Sequence, residues 1–225
     1  MIDLQRDGDV HVLRFDAGEN RFGPDFLDTV RDALDTVAEA AAKDGGPRAL
    51  VTVGTGKFYS NGLDLEWLGA NPDQFEDYLR RVHALYARVL SLPMPTIAAL
   101  NGHAFAGGAM LALAHDFAVM RTDRGYFCLP EVDLGLSFTP GMAALVRSRL
   151  PGATAHEAML TGRRYPAEEA LAAGIVQRTA AEDEVLPAAV AWAASLAGKA
   201  GKAVAEIRAE LRRDALDALN GPVLR

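Results

Sequence analysis

Pro95-Thr-Ile-Ala-Ala-Leu100 is a short, mostly apolar run that passes through Asn101-Gly-His103 into the alanine- and glycine-rich segment Ala104 to Ala114. A run of this length with a single small polar residue reads as a strand buried on both faces, the kind found in parallel sheets covered by helices. Gly107-Gly108 falls where the following helix should begin. The same grammar recurs on either side. Val10 to Phe15, Ala49 to Val53 and Phe117 to Met120 read as strands. Gly23-Pro24 opens a helix with Leu27, Val30, Leu34 and Val37 on one face. Proline suits the first helical position, where a missing N–H costs nothing. Asn71-Pro72 is expected to cap the longest helix, with Phe75, Leu79, Val82, Leu85 or Tyr86, and Val89 at helical period. Thr139-Pro140 opens another helix, and Gly162 and Gly174 read as helix C-caps. Residues from about Asp183 onward are helical, with Val204, Ile207 and Leu211 among the apolar positions. Strands alternating with helices predict an α/β protein. We divide it into a core, residues 1–182, and a helical C-terminal section, residues 183–225, available for contacts between subunits.

Composition closes off several function classes. The 225 residues are 50% hydrophobic and 24% charged, the balance of an ordinary globule. Cys128 is the single cysteine, so an intrachain disulfide or a Cys-x-x-Cys metal knuckle is excluded. A net charge of −7 disfavours nucleic acid and anionic membranes as partners. The longest apolar run is about half of what spans a bilayer, and the first residues lack a signal-peptide core. A cytoplasmic location is the expectation.

Three segments carry chemical promise. Gly56-Lys-Phe-Tyr-Ser-Asn-Gly-Leu-Asp-Leu65 and Asn101-Gly-His-Ala-Phe-Ala-Gly-Gly-Ala-Met110 each follow a buried strand, where ligands of α/β proteins bind. Neither is a dinucleotide fingerprint or a P-loop. Taken alone, Gly107-Gly108 reads first as close backbone packing, and second as a helix start whose free N–H groups face an anionic oxygen. In Tyr126-Phe-Cys-Leu-Pro-Glu-Val-Asp-Leu-Gly135, a carboxylate at Glu131 among Leu129, Pro130 and Val132 would have a raised pKa if buried. Taken alone it reads as a solvated loop acid.

Together, and in this order, the three segments resemble the crotonase superfamily of acyl-CoA hydratases and isomerases. Leu160-Thr-Gly-Arg163, Ala167-Glu-Glu-Ala170 and Ala173-Gly-Ile-Val176 extend the resemblance downstream, so that it covers roughly residues 1–200. It implies the ClpP/crotonase-like fold, a spiral of ββα units with a helical C-terminal section, assembled as a homotrimer or a dimer of trimers. It implies an acyl-CoA substrate, which brings its own coenzyme A, and no metal, nicotinamide or flavin. By position, the backbone N–H groups of Leu63 and Gly107 correspond to the oxyanion hole for the thioester oxygen. Ser60, Asn61, Gly62, Asp64 and Leu65 correspond to the loop along coenzyme A, and Phe105, Gly108 and Pro130 join them around the substrate. Phe105, Trp67 and Phe138 are candidates for the acyl pocket, although aromatics near a site are more often core. Asp64 serves equally well as a helix cap. His103 reads as strand-end packing.

Hydratases of this superfamily use two glutamates. Glu131 matches the second, but the position of the first is Met110, which can neither take nor deliver a proton. One carboxylate suffices to move a proton from C2 to C4, so the resemblance points to the Δ3,Δ2-enoyl-CoA isomerase branch, which acts in fatty acid oxidation, with Glu131 as the single base. Two alternatives stand beside it. One is a hydratase using Glu131 and a water held by the backbone. The other is a catalytically silent, oligomeric coenzyme A-binding protein.

Overall fold

A computed structural model describes residues 1–41, 46 and 48–224. The chain begins with a hairpin, β1 (Ile2–Asp7) and β2 (Val10–Phe15), followed by α1 (Pro24–Ala41). The next unit is β3 (Ala49–Gly54), β4 (Phe58–Ser60), α2 (Leu65–Ala70) and α3 (Phe75–Ser91). Then come β5 (Thr96–Leu100), β6 (His103–Phe105) and α4 (Gly107–Ala114), and after them β7 (Phe117–Arg121), β8 (Phe127–Cys128) and α5 (Pro140–Arg149). The chain closes with α6 (Gly152–Thr161), α7 (Ala167–Ala172), β9 (Arg178–Ala180), α8 (Val185–Leu196), α9 (Lys202–Leu211) and α10 (Arg213–Asn220). The ββα unit therefore recurs, as the motif resemblance implied.

Two sheets result. The larger has the order β1-β2-β3-β5-β7-β9, parallel except for the first hairpin. One face holds the main core, into which Leu27, Val30, Leu34 and Val37 of α1 and Leu79, Val82, Tyr86 and Val89 of α3 project as expected. On the other face Val12, Val51, Ile97 and Val119 meet Val185, Ala189 and Ala193 of α8. That explains the continuous apolar runs: residues pointing either way are buried.

The second sheet decides the site. It contains only β4, β6 and β8, paired in parallel, with Phe58 opposite His103 and Phe105 opposite Cys128. Each of the three segments singled out above contributes one of these strands. Strands of two or three residues show no readable period, so periodicity does not reveal them.

Other expectations need correction. Asn71-Pro72 does not cap α3: Pro72 begins a 3-10 turn, α3 starts at Phe75, and the Asn71 side chain instead donates to Trp67 O at the end of an unexpected helix, α2. Proline fits the first position of either kind of turn, which is why the two readings were indistinguishable. The longest helix is α1, with 18 residues against 17 in α3. Gly162 ends α6 in the left-handed conformation, as expected, whereas Gly174 lies one residue beyond the Ala173 cap of α7. In α9, Ile207 and Leu211 face outward and Arg208 faces in. Its guanidinium donates to Asp116 Oδ1 at 2.8 Å and Oδ2 at 2.6 Å, and to the carbonyl oxygens of Leu92 and Met94. A buried cation with its hydrogen bonds met outweighs the apolar stripe of this helix. Beyond it, α10 packs on α5 and α3, burying Ala215 and Leu219. No helix among the described residues is long and apolar enough to cross a membrane.

Candidate active site

The small sheet lays the ends of the three segments side by side around a cavity of about 830 Å³. Its walls are Leu63, Leu65 and Leu68 from the first segment and α2, Phe105, Ala106 and Met110 from the second, and Cys128, Pro130 and Glu131 from the third. Phe75 and Leu79 of α3, Leu134, Leu136 and Phe138, Met142 of α5, and Val223 and Leu224 complete an apolar lining. Arg21, Asn61, Ser137, Thr139 and Arg164 add polar groups.

Among the described residues, Glu131 is the only side-chain carboxylate in that lining. It follows β8 in a tight turn, where its own carbonyl accepts from the amides of Leu134 and Leu136. The side chain is 7% exposed, and Oε2 has no hydrogen-bond partner. Burial among Pro130, Leu134 and Leu136 disfavours the charged form and pushes the carboxyl up to about 7, against a smaller opposing pull from its own backbone amide. Such a group exchanges a proton readily near neutrality.

The first two segments meet backbone to backbone. Gly62 has φ +78°, and a β-carbon there would lie 2.5 Å from Gly107 N and 2.9 Å from Phe105 O. Only glycine fits both the conformation and the space. Neither the Leu63 nor the Gly107 amide donates a hydrogen bond to any described residue. Both peptide units are polarised from behind, since Gly62 O accepts from Phe22 N at 2.8 Å and Ala106 O accepts from Met110 N at 3.1 Å. Ala106, just before α4, sits at φ +49°, ψ −121°, a conformation costly for a residue with a β-carbon. Nothing in the sequence signals that strain.

The remaining candidates divide. Asn61, Leu65, Phe105 and Pro130 line the cavity. Ser60, Gly62, Asp64, Gly107 and Gly108 stand behind the lining. Ser60 is fully buried, its hydroxyl donating to Asn20 O at 2.7 Å and accepting from Gly62 N at 3.1 Å. Asp64 caps α2, accepting from Trp67 N at 3.1 Å. Phe138 lines the cavity, but Trp67 stacks on Tyr78 outside it. His103 packs between Phe105 and Tyr126, with ring centroids 4.8 Å and 5.6 Å away. Sequence reasoning missed Arg21, Arg164, Met142, Val223 and Leu224. These come from distant parts of the chain and carry no local signal.

The profile of the family described as enoyl-CoA hydratase/isomerase matches residues 10–221. The chain belongs to that family. One relative is the peroxisomal enoyl-CoA delta isomerase 2 of Arabidopsis thaliana, 39% identical over 224 residues, covering 94% of this chain and 92% of the relative. Among solved structures, an enoyl-CoA isomerase of Mycobacterium tuberculosis superposes with a TM-score of 0.89 at 30% identity, over 99% of this chain and 95% of that one. An enoyl-CoA hydratase from Mycobacterium marinum gives 0.89 at 29%, over 99% and 96%. The enoyl-CoA hydratase/isomerase chain described here thus has the crotonase fold, as the motif resemblance implied.

Proposed function

We propose that this protein is a Δ3,Δ2-enoyl-CoA isomerase with a single catalytic carboxylate. The observation that carries the proposal is Glu131, the only side-chain acid lining the cavity among the described residues, together with Met110 in the same lining, at the position where the motif resemblance places the other acid of a two-glutamate hydratase. The thioester oxygen of a 3-enoyl-CoA accepts from the N–H groups of Leu63 and Gly107. The Glu131 carboxylate takes a proton from C2, and the negative charge spreads over a dienolate whose oxygen those two donors stabilise. The same carboxyl returns the proton to C4, giving trans-2-enoyl-CoA. Proton and electron pair are conserved, so no further reactant is consumed. Each fixed oxyanion donor of this kind contributes about 3 kcal/mol to lowering a barrier. The apolar lining takes the acyl chain and keeps water from the dienolate. The homotrimeric assembly implied by the motif resemblance belongs to the same proposal, and light scattering on the purified protein measures it.

The test is an assay on trans-3-hexenoyl-CoA and crotonyl-CoA in parallel, with Glu131→Gln as control. Conjugation of the 3-enoyl substrate that disappears in the variant, with little hydration of crotonyl-CoA, is the expected result. Rapid hydration of crotonyl-CoA would overturn it in favour of a hydratase, the reading supported by the likeness to the Mycobacterium marinum protein. Binding without turnover of either would favour the silent coenzyme A-binding protein.

A further inference from the structure

Helix α3 carries two tyrosines that reach the two loops bearing the proposed oxyanion donors, one each. The Tyr78 hydroxyl accepts from the amide of Asp64, the residue after Leu63, at 2.9 Å. The Tyr86 hydroxyl donates to the carbonyl of Gly107 at 3.0 Å. Both side chains are buried, and neither lines the cavity. Other supports of these loops come from within the segments or from the chain near Asn20 and Phe22. Among the described side-chain hydrogen bonds, those from α3 reach both loops from one helix, with its tyrosines two turns apart. The spacing between the Leu63 and Gly107 amides is what an oxyanion requires to be fixed, because preorganised donors stabilise developing charge without reorganisation.

We infer that Tyr78 and Tyr86 are positioning residues: through backbone hydrogen bonds alone, they set the separation and aim of the Leu63 and Gly107 N–H groups. The inference rests on the oxyanion role proposed above. Its specific content is that removing either hydroxyl weakens enolate stabilisation while leaving substrate affinity intact. Neither side chain touches substrate, so KM is expected to stay within about twofold, while kcat falls about tenfold for each loss of one buried hydrogen bond.

The experiment compares the wild-type protein with Tyr78→Phe, Tyr86→Phe and, as control, Tyr59→Phe. Tyr59 is another fully buried tyrosine, but its hydroxyl bonds to Thr52 Oγ1 at 2.8 Å and to neither loop. Two readouts are used besides thermal melting. The first is kcat against KM on trans-3-hexenoyl-CoA. The second is the near-ultraviolet absorbance of bound acetoacetyl-CoA, a β-ketoacyl thioester whose enolate absorbs where its keto form does not. The expected result is a lower bound-enolate fraction and a lower kcat in Tyr78→Phe and Tyr86→Phe, with both parameters unchanged in Tyr59→Phe. If all three variants keep wild-type enolate and kcat, the positioning role is overturned while the isomerase reading stands. If Tyr59→Phe loses as much as the other two, the effect is general loosening of the core and the inference fails. If the wild-type protein itself neither isomerises nor shows the enolate band, it is the isomerase reading that has failed.

Discussion

Gly108 stands so close to the main chain of Ser60 that a β-carbon on it would overlap the Ser60 carbonyl oxygen and lie 2.7 Å from both Ser60 C and Cβ. This is where the first and second segments lock together, and backbone atoms cannot yield as a flexible side chain would. Gly108→Ala is therefore expected to cost about 1–3 kcal/mol of stability through overpacking. It should also lower isomerase activity at least tenfold by shifting Gly107, a rough figure for a donor displaced from its oxygen. Denaturant unfolding and steady-state kinetics check both. Gly69→Ala, in α2 with open space around it, is the matched control and should leave activity unchanged.

In the proposed isomerisation Glu131 must be ionised to accept the C2 proton, and burial raises its carboxyl to about 7. The kcat/KM for isomerisation of a 3-enoyl-CoA is expected to climb as pH rises through about 7 and then level off. Glu131→Gln should remove at least about 99% of the activity, the scale of losing a general base. A pH–rate profile that is flat between 5 and 9, or an active Gln variant, would disprove the assignment.

The same shift predicts a stability effect of definite sign. The folded protein holds the Glu131 proton up to about 7, whereas an unfolded chain releases it near the ordinary glutamate value of 4.5. Folding thus favours the protonated form. The contribution of this group is fully present at low pH and is lost as pH rises through about 7. Relative to Glu131→Gln, the wild-type protein should lose roughly 2–3 kcal/mol between pH 4.5 and 8.5. Chemical denaturation of both proteins across that range measures the difference.

Met110 shares the cavity with Glu131 and is almost wholly buried. Met110→Glu would place a second carboxyl where like charges resist simultaneous ionisation. The rising limb of the isomerase pH profile is expected to move upward by about one unit, since a neighbouring negative charge holds the Glu131 proton. Hydration of crotonyl-CoA by this variant is a second readout, for one acid added to the proposed pair of oxyanion donors.

Arg208 binds the C-terminal helices to the rest of the chain through Asp116 and two backbone carbonyls. Arg208→Ala leaves that partly buried carboxylate and both carbonyl oxygens without their donor. A loss of about 3 kcal/mol is expected. Because α10 and the Val223–Leu224 segment follow, and the latter lines the cavity, KM should rise more than kcat falls. Unfolding curves and kinetics on the same preparation test this.

Much of the protein was legible in its sequence because the relevant signals are local. Ala49 to Val53, interrupted only by Thr52, announces a buried parallel strand by its near-continuous apolarity, and Leu27, Val30, Leu34 and Val37 announce the buried face of α1 by their spacing. Glu131 and Met110 alike took their meaning from the motif resemblance, since Glu131 taken alone reads as a solvated loop acid. The tertiary structure decided what no local signal encodes. Strands as short as β4, β6 and β8 owe their existence to one another, since two or three residues cannot form a strand except by pairing. Their pairing brings Gly62 against Gly107, beside Leu63 and Ala106, which line the same cavity as Glu131. Ile207 and Leu211 form an apolar stripe that nonetheless points outward, because Arg208 finds four acceptors inside and its desolvation is thereby compensated. Ala106 is strained, and Tyr78 and Tyr86 touch two loops far apart in the chain, only because the folded backbone puts them there. Periodicity is a property of neighbours along the chain, whereas an active site is a property of neighbours in space.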